Sequence, residues 1–586
     1  MAFIFVNAFK SGLDARRSRI TAQQGSLSVG KNIHINRGGE VEKRKAFVPF
    51  ATLPSGQTKG LWATKNGIYV FGSAASLSVP APIRYQRLTS PSGSTLLEVL
   101  SVDTYNGAPY VVAKFTDGGV HHFYNGARVT DWDTIAPNIS DIDTLGQSIS
   151  ALVSTDPVVD ATYDATANRI TITASANNTP FTISALVTNV AGGEANSAVM
   201  SVIQYSTASL PQIATVDLVG GYNPSFDANE SWEIIINNTP YRVTPSASGI
   251  GTSARTFRGK VYATVQGTLY FSDVNNPTRW TTTFTNSAGK KEDTFAGFES
   301  LSAQTGGAES LVTTAPYQGF LAVFARRSTQ IWQVVAGDPS DNLPKQILDN
   351  VGSIAPRSAI NFGEMDVFFL SDTGVRSLRA RDSSNAAVVF DVGTAVDPLV
   401  IEQMNALTEP EVARACGVVE PREGRYMLAL GDKVFVYSFF PASSISAWTT
   451  YEPGFAVEDW AVYGNQLLCR SGDDVYIYGG VIGNVYDNSL AEVELSWLSA
   501  DRPGNKKKFK GIDIGCEGSW TISYSTDPTT DSYAKAGSVE LSNFNLPNFR
   551  IGASGTHIGL KFTSNDSKPA RISSAVVHFD YTETPS

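Results

Sequence analysis

The stretch 257-FRGKVYATVQGTLYFSDVNNPTRW-280 decides how the rest of the chain is read. Large apolar residues alternate along it with small or polar ones. It breaks at Gln266-Gly267, resumes, and closes on Trp280. Period-two alternation punctuated by Gly, Asp and Asn marks strands joined by tight turns. Six more stretches follow the same plan: 60–72, 109–126, 317–334, 365–380, 425–440 and 459–480. Each has an apolar strand, a polar turn with Gly or Asp, and a second apolar strand rich in Tyr or Phe. Most lie roughly 40–60 residues apart, a spacing within the range of propeller blades. A lone hairpin cannot bury both its faces, whereas hairpins stacked around an axis bury them together. The count is seven candidate blades, with six or eight left open, and no fixed word such as a Trp-Asp dipeptide recurs.

Outward from these repeats the chain changes character twice. Residues 131–253 become rich in Ala, Ser, Thr and Asn and hold few basic residues. Within them 145-LGQSISALVST-155 places Leu145, Ile149, Leu152 and Val153 on one helical face. Hairpins are expected at 161–176 and at 231–244, the second turning on Asn237-Asn238, with a strand at 180–187 between them. This reads as an α+β domain inserted into a loop between two blades, where host termini already lie close. After residue 489 a fresh set of strands, with no long helix, reads as a β-sandwich entered through Lys506-Lys507-Lys508. The expected fold is therefore mainly β: a propeller over 51–130 and 254–488, an inserted α+β domain at 131–253, and a β-sandwich at 489–586. Residues 1–50 show no hairpin and are expected to form an extended docking arm.

Bulk composition fits this. At 586 residues the chain is too long for one core, so two to four domains are expected. Apolar residues at 42% and charged residues at 17% describe an ordinary globular protein. A net charge of −10 argues against a broad basic face built to grip nucleic acid, though not against DNA as something passed along. Cys416, Cys469 and Cys516 are odd in number and far apart, so no disulfide framework is expected. No run of 18 apolar residues and no cleavable leader is visible, so a soluble protein without a membrane span is expected.

Candidate chemistry is thin. His121 and His122 are adjacent in a strand, where neighbours point to opposite faces, so a shared metal ion is not expected. His34, His557 and His578 are scattered. Paired acids that a glycosidase would need occur at Asp473-Asp474, at Glu364 with Asp366, and at Asp131 with Asp133. Each lies at a turn or strand entry, where Asp has a backbone reason to be. The acids in 139-ISDIDTLG-146 read as a helix N-cap rather than a calcium loop. No phosphate loop, nucleophile elbow or zincin helix occurs, so neither an enzyme nor a cofactor is expected. Basic clusters at Arg16, Arg17 and Arg19, at Lys43-Arg44-Lys45, at Arg326-Arg327 and at Lys506–Lys508 read as solvated turns, the first two also as docking surface.

The most distinctive piece is 11-SGLDARRSRITAQQGSLSVGKNIHINRGGEVEKRKAF-47. It resembles the start of tail nozzle proteins of short-tailed bacteriophages, also called tail tubular protein B. Gly12-Leu13-Asp14 matches their opening segment, Asn32 the Asn that opens a strand, and Gly38-Gly39-Glu40-Val41-Glu42-Lys43-Arg44 their Gly-Gly-acidic turn. The stretches 259–280 and 351-VGSIAPRSAINFGEMDVFFLSDTGVRSL-378 are similar to the same family. The resemblance implies a virion tail protein, made in the bacterial host cytoplasm and assembled as a homohexamer below the head-to-tail adaptor. It implies tail fibres or spikes near that junction, and genomic double-stranded DNA held in until infection, then passed through the lumen without sequence-specific binding. A ring of six would carry roughly −60, letting a polyanion slide without sticking. The family's motif carries over no contact residues. The charge pattern makes Asp14, Arg16, Arg17, Arg19, Glu40, Lys43 and Arg44 the expected adaptor-docking set, and Lys506, Lys507 and Lys508 an expected interface turn. Two rivals remain: a carbohydrate-binding or depolymerising propeller stacking sugars on Trp280, Trp332 or Trp448, and a peptide-binding scaffold.

Overall fold

In the computed structural model of the protein, the decisive stretch folds as antiparallel strands Ser253–Phe257, Lys260–Val265 and Thr268–Phe271, with Gly297–Ser300 as the fourth member of the sheet. Arg258-Gly259 make the first turn at φ +49° and +77°, and Gln266 starts the second at +48°. Positive φ at these positions gives tight turns whose twist suits the strands they join. The structure describes residues 2–54, 56–91, 93–116, 118–135, 142–189, 196–220, 231–243, 253–286, 289–301, 309–363, 366–380, 387–500 and 503–582. It is mainly β, with 54% strand and 7% helix.

Strands occupy all seven stretches picked out by alternation. Meanders in which consecutive strands pair span 96–128, 311–349, 360–390 and 416–451; the sheet of 253–300 follows the same order but its last connection carries a separate hairpin at 283–293, and a three-strand run spans 459–478. Second strands are dry on both faces: Lys260–Val265 and Tyr426–Leu430 are buried at every residue, Phe320–Ala325 and Asp366–Ser371 at all but the first. Such strands need cover on both sides of their sheet.

The chain divides into two compact units, Met1–Ile68, Ser78–Pro82 and Arg357–Ser586 in one, Tyr69–Leu77 and Ile83–Pro356 in the other. In the second unit the meander 96–128 packs on 253–300, where Tyr105 Oη donates to Gly259 O at 2.9 Å. In turn 253–300 packs on 311–349 through Tyr262, Phe271, Leu321, Val323 and Trp332. The inserted region belongs to this unit. Helix Ile142–Val153 buries Leu145, Ile149, Leu152 and Val153, the face its periodicity predicted. It lies against the sheet 159–164, 169–174, 213–219, 197–204 and the sheet 183–188, 231–236, 239–243. The Asn237-Asn238 turn is present, with φ of +48° and +68°.

The insertion is fastened to its host rather than hung from it. Asp131 accepts hydrogen bonds from Trp280 N and, at 2.9 Å, from Thr281 N, tying the entry of the insertion to the loop that follows strand Thr268–Phe271. Lys291 Nζ donates to Ser154 O, Asp156 O and Asp160 Oδ1 at 3.0–3.3 Å. Trp280 and Trp132 meet edge to face at 4.7 Å and join the helix residues in one core.

In the first unit the meander 360–390 packs on 416–451, with Phe368 and Tyr426 rings 5.0 Å apart. In turn 416–451 packs on 459–478 through Met427, Val436, Trp460 and Cys469. The fourth strand beside 459–478 comes from far away: Phe47–Thr52 pairs antiparallel with Asp474–Tyr478, Phe47 opposite Tyr478 and Thr52 opposite Asp474. A larger sheet runs Ile33–Ile35, Val41–Lys43, Arg571–Tyr581, Lys507–Ser525, Gly559–Ser564, Ala491–Leu495, Leu27–Lys31 and into 416–451.

Two expectations are corrected here. Residues 1–50 are not an extended arm. Ala2–Val6 pairs with 575–579, Leu27–Lys31 with 491–495, and 33–35 forms a hairpin with 41–43. Their strands are too short for alternation to show, but Ile4, Val6, Leu27, Ile33, Ile35 and Val41 are buried. A boundary at 489 likewise cuts through one sheet, because the strands after it are completed by those of residues 2–43.

Candidate interface surface

Gly12-Leu13-Asp14 is where the basic segment is pinned. Leu13 N donates to Trp448 O at 2.8 Å and Asp14 N to Leu27 O at 2.9 Å. Gly12 has φ +61°, and a Cβ there would lie 2.6 Å from Trp448 O. Only glycine tolerates both the left-handed backbone and that approach. Asp14 turns inward on its own segment, its Oδ1 accepting from Arg17 N at 3.1 Å. From this base residues 16–21 stand exposed.

The expected docking set separates by burial. Lys43 and Arg44 are buried and unavailable to a partner. Lys43 Nζ donates to Asp566 O at 2.6 Å, and burial pushes its ammonium below the ordinary lysine range. Arg44 donates to Asn32 Oδ1 at 2.9 Å, Lys45 O at 2.8 Å and Asp487 Oδ2 at 3.0 Å. Glu40 accepts from Asn36 Nδ2 at 3.0 Å and pairs with Arg571 at 3.3 Å. Arg19 bridges Glu494 and Asp531 at 2.9 and 3.0 Å. Exposed Arg16 and Arg17 remain. Arg16 borders a cavity of about 470 Å3 with Thr373, Arg376, Asp397 and Ile401.

The expected interface turn is corrected in the same way. Lys507 begins the strand Lys507–Ser525 and is fully buried, its Nζ donating to Asn505 O and Thr556 O at 3.0 and 2.9 Å. Lys506 and Lys508 flank it and are exposed.

The candidate acids are occupied with structural partners. Asp473 accepts from Gly56 N at 2.7 Å and Thr58 N at 3.3 Å, and Asp474 from Thr52 Oγ1 at 2.7 Å. Together they hold the distant fourth strand at its end. Asp366 pairs with Arg379 at 3.0 Å, and burial raises its carboxyl above the usual range despite that cation. Glu364 and residues 139–141 lie outside the described residues. His121 meets Asp133 at 2.6 Å, while His122 meets Tyr110 Oη at 2.9 Å and stacks on Trp132. Burial lowers the His122 imidazole well below its ordinary value. Among the described residues no three His, Cys, Asp or Glu side chains are grouped to hold a metal ion, and no helix is long and apolar enough to cross a membrane.

The aromatics that could have stacked on sugars are inside. Trp280, Trp332 and Trp448 are 1%, 4% and 2% exposed, and their Nε1 atoms donate to Pro277 O, Gln330 Oε1 and Val392 O. Cys416, Cys469 and Cys516 are free and buried, and burial pushes the Cys516 thiol up to about 11.

One exposed feature escaped the sequence reading. Val481 and Ile482 are exposed at a turn held by Arg422, which donates to Ile482 O at 2.7 Å and Asn465 O at 2.9 Å. The readable sign was an apolar pair set between Gly479-Gly480 and Gly483, all at positive φ. No protein-family model matches the chain, and no curated protein is similar to it.

Proposed function

We propose that the chain is a structural subunit of the tail-nozzle kind. Six copies would enclose a channel below a head-to-tail adaptor, hold double-stranded DNA until infection, and pass it without reading its sequence. In this reading the sheets at the seven alternating stretches form one propeller. The observation that carries it is the strand Phe47–Thr52 beside Asp474–Tyr478. A sheet made from both an early and a late part of the chain ties the end of the series to its beginning, a joint that suits a closed ring with no open end. The segment leading into that strand, 11–47, is also the one with nozzle-like residues. Face-to-face packing of successive sheets in chain order, seen inside each unit, supports the same arrangement.

Charge supports a conduit, with a refinement. Residues 131–253 contain 12 acidic and two basic residues, a balance of −10, so the remaining 463 residues are neutral. Repulsion of DNA would thus come from the inserted region rather than from the sheets. Exposed Arg16 and Arg17 are the cations left to meet an adaptor.

Electron microscopy and light scattering of the purified chain, alone and with the adaptor, test the reading. Six-fold rings are expected in at least one condition. A monomer that never joins adaptor complexes would overturn it.

A further inference from the structure

The glycine-rich turn at 479–483 holds the most exposed large apolar side chain among the described residues. Ile482 is 78% exposed, and Val481 beside it 65%. Their carbonyls are pinned: Arg422 Nη1 donates to Ile482 O at 2.7 Å, and Gln466 Nε2 donates to Val481 O at 3.1 Å. Arg422 is itself anchored, its Nε donating to Asn465 O at 2.9 Å. Gly479, Gly480 and Gly483 bend at φ +76°, +69° and +83°, and a Cβ on Gly483 would fall on the Arg422 guanidinium. The turn therefore has a fixed shape that presents Ile482 as a preset projection. An anchor already held in place gives up little freedom when it docks.

A hollow of about 810 Å3 adjoins this projection. Ala63, Val462, Tyr463, Asn465 and Val481 are among the residues lining it, and Arg422 borders it too. Val481 thus belongs to both features, and Arg422 joins them by holding the Ile482 carbonyl. Projection and recess make one patch of surface. A contact across a two-fold axis needs one patch to be complementary to itself, with a projection and a recess side by side. A lipid surface would take up the projection and leave the recess unused. The apolar part of the lining, Ala63, Val462, Tyr463 and Val481, suits a branched aliphatic guest, which Ile482 is.

We propose that the patch pairs with itself in a second copy of this chain, Ile482 of each copy entering the hollow of the other. Each pairing buries two isoleucine side chains that water now surrounds, and that burial drives the contact. Arg422 spends its donors on carbonyls of its own copy, and Lys65, the other cation of the lining, is exposed. Neither cation therefore has to be buried unpaired. The inference does not rest on the tail reading. A two-fold contact makes pairs, of single chains or of rings, whereas a ring of six needs a separate head-to-tail face, so either can fail without the other.

Sedimentation velocity of the full chain over a concentration series tests this, and pairing is expected at or below about 0.1 mM. Ile482→Asp spoils the projection, and Asn465→Trp, at an exposed position on the lining, blocks the hollow. Each should weaken pairing by about tenfold or more while Tm holds, because both side chains are exposed. Mixing the two variants decides the geometry. Neither variant can make the contact with itself, but a mixed pair has one intact projection facing one intact hollow. An equimolar mixture should therefore associate at least about fivefold more tightly than either variant alone. A parent protein that never pairs, variants that pair as the parent does, or a mixture no tighter than its components would each overturn the proposal. So would capture by phosphatidylethanolamine–phosphatidylglycerol vesicles that needs Ile482 in a chain that stays unpaired.

Discussion

Arg44 and Arg17 belong to neighbouring basic clusters in the sequence, yet the structure gives them opposite surroundings. Arg44 is enclosed among Asn32, Lys45 and Asp487, whereas Arg17 is largely exposed. Replacing Arg44 by Met strands those acceptors and should cost about 3 kcal/mol in urea denaturation, while Arg17→Ala should stay within about 0.5 kcal/mol. Lys260 offers a check on sign. Burial pulls its ammonium from the ordinary 10.5 to about 8. Between those values the unfolded chain keeps a proton that the folded chain has released, so this group's contribution to stability rises with pH across the window. The buried thiols pull the other way above pH 9, so the check is a difference: urea denaturation at several pH values should show the parent gaining stability relative to Lys260→Met as pH rises from about 8 toward 10.5. What could be read at this scale was residue type, not enclosure. A lysine drawn into a sheet by carbonyl acceptors looks, in sequence, like one on a turn.

Elements were more legible where repetition or a turn code exposed them. The seven alternating stretches and the Asn237-Asn238 turn carry their own local reasons, and helix Ile142–Val153 has a one-sided apolar face. The outer strands were hidden because their patterns are weak. Leu343–Asp349 is mostly exposed, and Phe47–Thr52 contains Pro49 and pairs with residues more than 400 positions away. Of the candidate surface, the Gly12-Leu13-Asp14 pin was visible as a motif, but its partner Trp448 was not. Two element-level outcomes follow from contacts already described. Gly12→Ala forces a Cβ against Trp448 and a side chain into left-handed backbone, with an expected loss of about 2–4 kcal/mol by thermal or urea unfolding. Asp131→Ala removes the acceptor shared by Trp280 N and Thr281 N. A loss of about 2–3 kcal/mol is expected, with faster hydrogen exchange at those two amides.

At the scale of the whole molecule, the early strands decide whether the later sheets are finished. Deleting residues 1–52 takes away the partner of Asp474–Tyr478, one neighbour of Ala491–Leu495, and the strands beside Arg571–Tyr581. Limited proteolysis and calorimetry should then show the unit Arg357–Ser586 losing its cooperative transition, whereas trimming a free arm would leave it intact. Sequence could not reveal this, because pairing between remote segments has no period and no local code. It is set by which edges are left open once nearby strands have joined.

The pairing of Ala2–Val6 with residues 575–579 also fixes a timetable. On a translating ribosome, the first strand waits for about 570 more residues, roughly half a minute to two minutes at about 5–20 residues per second. Until then its Phe3, Ile4 and Phe5 lack their ladder partners, whereas Asp474–Tyr478 and Ala491–Leu495 can already have met their early mates. Newborn chains therefore cannot present this finished sheet to one another before residues 575–579 have emerged. Any assembly that uses it is postponed, by the chain's own wiring, until then.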